Sequence, residues 1–315
     1  MSNKWQKLGL LYCLPTTGQH PKLISHAANP LPVLIEGNVY RIFFSGRDID
    51  NRSSVGAVDI DIVSREIIQE HGHPFFEHGG SSSFYADGVS IGNCYEVNGV
   101  RYMLFMGWQN PEGGHWRGDI GRLIVRPNLD LELDSKEPLM GSDSVDPISL
   151  SYPWVQKNDN GNYSMWYSSV TAWDAGNGEM LAPIKFASSA DGNNWKREGI
   201  VIPYELGKAQ AFSRPTVVGN LDAGFEMWFS YRSDIGGSYR IGYAFSKDGE
   251  KWTLALQDAG IDVSLDGWDS EMIEYPFVFD HKGRRYMLYN GNGYGKTGFG
   301  LAVFTPDISN KLGKV

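Results

Sequence analysis

The chain has 315 residues, a net charge of −9 and no basic run, so it lacks the electrostatic footprint of a nucleic-acid binder. No stretch approaches the apolar length that a bilayer span needs. The N-terminus MSNKWQKLGLLYC has neither an apolar h-region nor a small-residue cleavage site, and a cytoplasmic protein with no membrane partner is expected.

The first element is a strand over Trp5–Cys13, which precedes everything that repeats later. From there a five-fold echo runs along the chain. VYRIFFS ends at Ser45, RYMLFMG at Gly107, YSMWYS at Ser168, FEMWFS at Ser230 and RYMLYN at Asn290. The spacing is nearly constant, about 60 residues, which marks a repetitive architecture. A shorter apolar strand precedes each echo and usually opens on a proline: Asn29-Pro30, Tyr152-Pro153, Arg214-Pro215 and Tyr275-Pro276, with Asp87-Gly88 in the second slot. Repeats three and four close on Ser-x-Asp-Gly-x-x-Trp, at Ser189–Trp195 and Ser246–Trp252. Asp-Gly joins antiparallel strands with little strain, because glycine accepts positive φ.

Repeat five has no outer strand after FGLAVF, so the N-terminal strand is expected to complete it. No segment sustains a helical apolar period. The fold class is therefore all-β: a five-bladed β-propeller filling residues 1–315 as one domain, its ring closed by an N-terminal strand joining the last blade. The aromatic share of 13% suits both packed sheets and a sugar-binding surface. Cys13 and Cys94 lie in strand-like surroundings and are expected to be buried free thiols.

In a propeller the inner strands line a channel, and the loops at one end build a pocket on the axis. Residues heading the inner strands, and residues just after the echo strands, converge there. Paired carboxyl groups, one of raised pKa, are the usual carriers of general acid and base chemistry. Asp87, Glu274 and Glu271 are the catalytic candidates; a turn cap before Gly88 competes for Asp87, and a surface loop for the two glutamates. Asp48 follows the first echo, and Asp146 precedes a proline in SVDPISL. Arg47, His115, Arg117, Arg214 and Arg232 fall at pocket-facing positions. Guanidinium forks suit carboxylate or phosphate, which suggests a substrate-binding pocket for an anion. Asn29, Tyr152 and Tyr275 head inner strands. Trp108, Trp116, Trp173 and Trp268 fall in loops, where indole faces stack on sugar rings. The glycine run NGNGYGKTGFG lacks the helix that nucleotide binding requires. His71, His73 and His78 crowd one segment without a second ligand cluster, so neither a metal nor another cofactor is expected.

The inner-strand openings, the aromatic echoes and the phrase IGYAFSKDGEKW resemble the five-bladed propeller glycosidases, glycoside hydrolase families 43, 32, 68 and 130, over essentially the whole chain. The family 43 pattern implies acids at the heads of the first three inner strands, acting as base, pKa tuner and general acid. FYADGVSIGNC matches it at Asp87. HAANPLPV carries Asn29, and SLSYPWV carries Ser151 and Tyr152, where the pattern has acids. The mannoside phosphorylases of family 130 also begin with Asn-Pro, keep an Asp in the second blade and hold phosphate with basic residues. The resemblance implies a carbohydrate-active enzyme, a glycosidase or glycoside phosphorylase, acting on a substrate with an anionic group. Two other readings stay open: a non-catalytic carbohydrate-binding propeller, and an intracellular enzyme of surface-polysaccharide metabolism acting on an acidic or activated sugar.

Overall fold

The computed structural model describes residues 4–233 and 237–305. It is built almost wholly of strands. The first group is β1 (Trp5–Tyr12), β2 (Ser25–Glu36), β3 (Val39–Arg47), β4 (Ser53–Asp61) and β5 (Glu66–Glu70). Next come β6 (Gly88–Val97), β7 (Val100–Gln109), β8 (Arg117–Val125) and β9 (Leu131–Leu133). The third group is β10 (Ser149–Lys157), β11 (Tyr163–Val170), β12 (Ile184–Ser189) and β13 (Lys196–Ile200). The fourth is β14 (Ala211–Asn220), β15 (Gly224–Arg232), β16 (Arg240–Ser246) and β17 (Trp252–Leu254). The last is β18 (Glu274–His281), β19 (Arg284–Asn290) and β20 (Phe299–Phe304).

Strands β10 to β13 form one four-stranded antiparallel sheet and β14 to β17 another. Strands β18, β19 and β20 form a third with β1, which pairs antiparallel to β20 in the order β1-β20-β19-β18. The remaining strands make an eight-stranded sheet of two runs, β2-β3-β4-β5 and β6-β7-β8-β9. A single parallel pair, Ser53 with Gly88, joins the two runs.

The second strand of each run carries one echo, and the register explains why each echo ends on a small or polar residue. Ser45 stands opposite Ala28, Gly107 opposite Val89, Ser168 opposite Ser151, Ser230 opposite Ser213 and Asn290 opposite Glu274. Most of these echo-end side chains then reach the next run's first strand. Ser45 Oγ accepts the Ile91 N–H, Ser168 Oγ donates to the Phe212 carbonyl, and Ser230 Oγ accepts the Tyr275 N–H. Asn290 reaches back to the first run: its Oδ1 accepts the Asn29 N–H and its Nδ2 donates to the Ala27 carbonyl. Gly107 has no side chain to do this.

Just past those pairs, four first strands bulge. The register slips between Ala28 and Leu31, Ser151 and Trp154, Ser213 and Thr216, and Glu274 and Phe277. Each slip holds the residue-proline pair read from the sequence. Proline cannot donate to a ladder and is tolerated where a bulge leaves its position unpaired. The residue before each proline is left-handed, with φ of 55° at Asn29, 48° at Tyr152, 46° at Arg214 and 53° at Tyr275. For the bulky Tyr152, Arg214 and Tyr275 the conformation costs on the order of 1–3 kcal/mol each, and such strain clusters at functional sites.

Trp166 and Trp228 are core residues, each 1% exposed. The Gly249 carbonyl, in the turn after β16, accepts both the Trp166 and the Trp252 indole N–H, pinning the β14–β17 sheet to its neighbour. Cys13 corrects the sequence reading. It is exposed, because it lies just past the end of β1, while Cys94 on β6 is partly covered; both are free thiols. No helix among the described residues is long and apolar enough to cross a membrane.

Candidate active site

The bulged strand heads open into a cavity of about 360 Å³. Asn29, Tyr152 and Tyr275 line it from three of the left-handed positions. Ser90 lines it from the second run, and Arg47 and Arg232 from the ends of β3 and β15. Trp108, Trp116, Tyr239 and Tyr294 add aromatic surface, and serines fill much of the rest. No Asp or Glu belongs to this lining.

The phenols of Tyr152 and Tyr275 meet at 3.1 Å, with ring centroids 5.3 Å apart. Arg232 donates to Glu179 Oε1 at 2.8 Å and lies over the Tyr239 ring at 5.0 Å. Among the described residues no carboxylate lies within ion-pair distance of Arg47, whose charge is therefore uncompensated at the wall. His26, near Arg47 and Lys296, is pushed down to about 4, by burial first and then by those two charges.

Behind the wall sits Glu274, the first residue of β18, with no exposure to solvent. Neither carboxyl oxygen has a hydrogen-bond partner among the described residues. Burial pushes its pKa well above the usual carboxylate range, while Arg47, Arg232 and Arg214 pull the other way without prevailing. Burial is also the first cause of the raised pKa values of Tyr275, Tyr239 and Tyr152, and in each the nearby Glu274 charge adds to it. Arg214 is buried beside them: its Nη2 donates to the Pro30 carbonyl at 2.8 Å, while Nε and Nη1 have no partner. Burial pulls its pKa down to about 9.

The structure separates the residues expected to converge. Asp87 does not line the cavity. In the second run it is Ser90 that follows the pair facing the echo end, so Asp87 falls before the strand. Its carboxylate accepts the Asn110 N–H at 2.6 Å, and it lines an adjoining depression with Arg52, Gln109 and Asn110. Asn110 borders both spaces. Glu271 is exposed, and its backbone N–H is held by Asn292. Asp48 is buried outside the cavity lining, accepting the Asp50 and Arg52 N–H groups, pairing with the Arg52 side chain and lying 3.4 Å from His78 Nε2. These hydrogen bonds hold its pKa below the usual range against the opposing effect of burial. Asp146 is likewise buried under Lys185 and Arg197.

Arg117 and His115 also leave the expected set. Arg117 is exposed and faces Asp119 at 3.3 Å. His115 stacks on Trp173 at 4.4 Å, and Trp173 in turn meets Trp116 edge-on at 5.0 Å, so of these three rings only Trp116 touches the cavity. Trp108 stands in β7 rather than in a loop, its indole N–H donating to Ser53 Oγ. Trp268 packs on Tyr289 away from the cavity. Sequence reasoning missed Tyr239, Tyr294 and Ser90; only for Ser90 was there a usable signal, its place two residues after Asp87-Gly88.

No protein-family model matches the chain. Two proteins of Mycobacterium tuberculosis do: Uncharacterized protein MT1551 of strain CDC 1551 / Oshkosh and Uncharacterized protein Rv1502 of strain ATCC 25618 / H37Rv. Each is 44% identical over 302 residues, covering 95% of this chain and 98% of the relative. The chain belongs to their family. Among solved structures, a protein described as a glycoside hydrolase superposes with a TM-score of 0.75 at 12% identity, over 97% of this chain and 93% of its own. A family 130 structure, described as a glycoside hydrolase targeting beta-1,2 mannosidic linkages in Candida mannan, gives 0.69 at 12% identity, over 97% and 95%. A thermostable family-43 glycoside hydrolase gives 0.68 at 14% identity, over 92% and 94%. The fold is thus that of the propeller glycosidases.

Proposed function

We propose that the chain is a carbohydrate-active enzyme of the glycoside hydrolase type, cleaving or transferring a glycosyl unit that carries an anionic group. The cavity lining carries this reading: aromatic rings, hydroxyls and two guanidinium groups, one without a counter-ion, and no carboxylate. Indole and phenol rings suit the apolar faces of a pyranose. The guanidinium fork suits a carboxylate or phosphate. In this reading the strands form one domain of five blades, β2–β5, β6–β9, β10–β13, β14–β17 and β18–β20 with β1, and the cavity lies on their common axis. The stitch from Asn290 back to Ala27 and Asn29 supports a closed ring.

Glu274 is the candidate acid of the site, because burial without a partner raises the pKa of its carboxyl. Asp87, in the adjoining depression, contacts the departing part of the substrate. The anion is either part of an acidic sugar or phosphate serving as the second substrate. A panel of neutral, uronic and nonulosonic glycosides, assayed with and without inorganic phosphate, tests the proposal. Turnover confined to acidic glycosides, or dependent on phosphate, is expected. Equal turnover of neutral glycosides by wild type and Arg47→Ala overturns the anionic part.

The absence of a lining carboxylate also favours a second reading, a non-catalytic carbohydrate-binding propeller. Sugar affinity without product across the whole panel decides for it.

A further inference from the structure

One row of register partners crosses the first two runs beside the cavity. Arg47 on β3 stands opposite Ser53 on β4, Ser53 opposite Gly88 on β6, and Gly88 opposite Trp108 on β7. Arg47, Ser53 and Trp108 all line the cavity, as does Ser90, two residues past Gly88 and on the same face of β6. A Cβ at Gly88 would collide with Ser53 Oγ and Trp108 Nε1. Glycine there lets the indole lie back over β6, its N–H donating to Ser53 Oγ at 3.0 Å. The ring is thereby fixed over Gly88, about two strand spacings (roughly 10 Å) from the Arg47 backbone. A ring on the indole and a substituent at the guanidinium are thus within the reach of one sugar unit.

The charges on the wall limit what that substituent is. Among the described residues the lining contains no Lys, no His and no carboxylate. Of its two arginines, Arg232 is committed to Glu179 at 2.8 Å, which leaves the single charge of Arg47. Arg214 stands outside the lining, and its Nη2 is spent on the Pro30 carbonyl. A carboxylate carries one negative charge and balances Arg47 alone. A phosphate carries about 1.5–2 negative charges at pH 7 and would leave the remainder unmatched beside a half-buried arginine. We infer that the anion is the carboxylate of the sugar itself, held by the Arg47 fork with Ser90 Oγ donating to it, while the ring of the same sugar lies on Trp108. The substrate is then a glycoside of a sugar acid, and phosphate is not the second substrate. The inference rests on the proposed carbohydrate reading and narrows it.

Titration calorimetry at constant ionic strength tests this without any turnover. The probes are the methyl glycosides of glucuronic, galacturonic and N-acetylneuraminic acids, the methyl ester of each, glucose 6-phosphate and inorganic phosphate. At least one acid is expected to bind about 10–100-fold more tightly than its own ester, the usual worth of hydrogen bonds to a charged group, and more tightly than either phosphate. Arg47→Gln is expected to bring acid and ester level. Trp108→Phe is expected to weaken both alike and keep their ratio. Phosphate binding as tight as the best acid, esters binding as well as acids, or no binding of any acid overturns the inference. So does an acid-to-ester ratio that survives Arg47→Gln or is lost in Trp108→Phe. The wild-type comparison stands whether or not the variants fold. A wild type that binds acids selectively but turns over no glycoside sinks the proposed enzyme and leaves the carboxylate site standing. Turnover of neutral glycosides with no preference for acids does the reverse.

Discussion

A carboxyl group kept from water and from hydrogen-bond partners holds its proton more tightly than a free one, and folding imposes this on Glu274. Because its pKa is higher folded than unfolded, the folded state binds more protons once pH exceeds the ordinary glutamate value of about 4.3. Stability then falls as pH rises through the window up to the folded pKa. Glu274→Gln removes that dependence, so its melting temperature is expected to exceed that of wild type at neutral and mildly alkaline pH, with the gap closing near pH 4. Thermal melts across pH check this, and a gap that does not change with pH contradicts it. Arg47 is only partly buried and has no ion pair, so Arg47→Ala is expected to shift stability by no more than about 0.5 kcal/mol. The same variant is expected to lose binding of anionic sugars in titration calorimetry.

At the level of strands, the echo-end residues act as stitches between runs. Ser230→Ala leaves the Tyr275 N–H without its partner inside the protein, at an expected cost of about 1–3 kcal/mol. Asn290→Ala removes bonds to Asn29, Ala27 and Gly298 at a site with no exposure and is expected to cost about 3 kcal/mol, the upper end for unpaired buried groups. Urea denaturation of the two variants tests the order. These stitches show how far the sequence could be read. The aromatic echoes and their proline-headed partners were legible because strand pairing repeats at a fixed period. Glu274 was legible too, as the residue preceding Tyr275-Pro276. Its burial was not, since nothing local says which way a bulged strand turns a side chain. The slot filled by Asp87 misled for a related reason. The second run has no proline to mark its bulge, the slip moves to between Ile91 and Cys94, and the side chain presented to the cavity is Ser90. Tyr239 was invisible because it enters from outside β16.

Across the whole molecule, the first and last described strands meet in one sheet. Trp5 on β1 pairs in register with Phe304 on β20, and it packs edge-on against Trp228 at 5.5 Å and Phe304 at 5.2 Å. It is 2% exposed, so Trp5→Ala is expected to cost about 3–5 kcal/mol, the usual penalty for emptying a buried tryptophan site. Equilibrium unfolding measures this, and a loss under about 1 kcal/mol would mean that β1 is dispensable.

The pairing of β1 with β20 also sets a schedule. During synthesis β1 must wait for β20, roughly 15–60 s at ordinary elongation rates. Until then Trp5 and Leu11 have no partner strand, so every nascent chain passes through a period with an open sticky edge. The protein's exposure to misassembly is therefore greatest before β20 emerges, and it ends only when β20 has docked on β1.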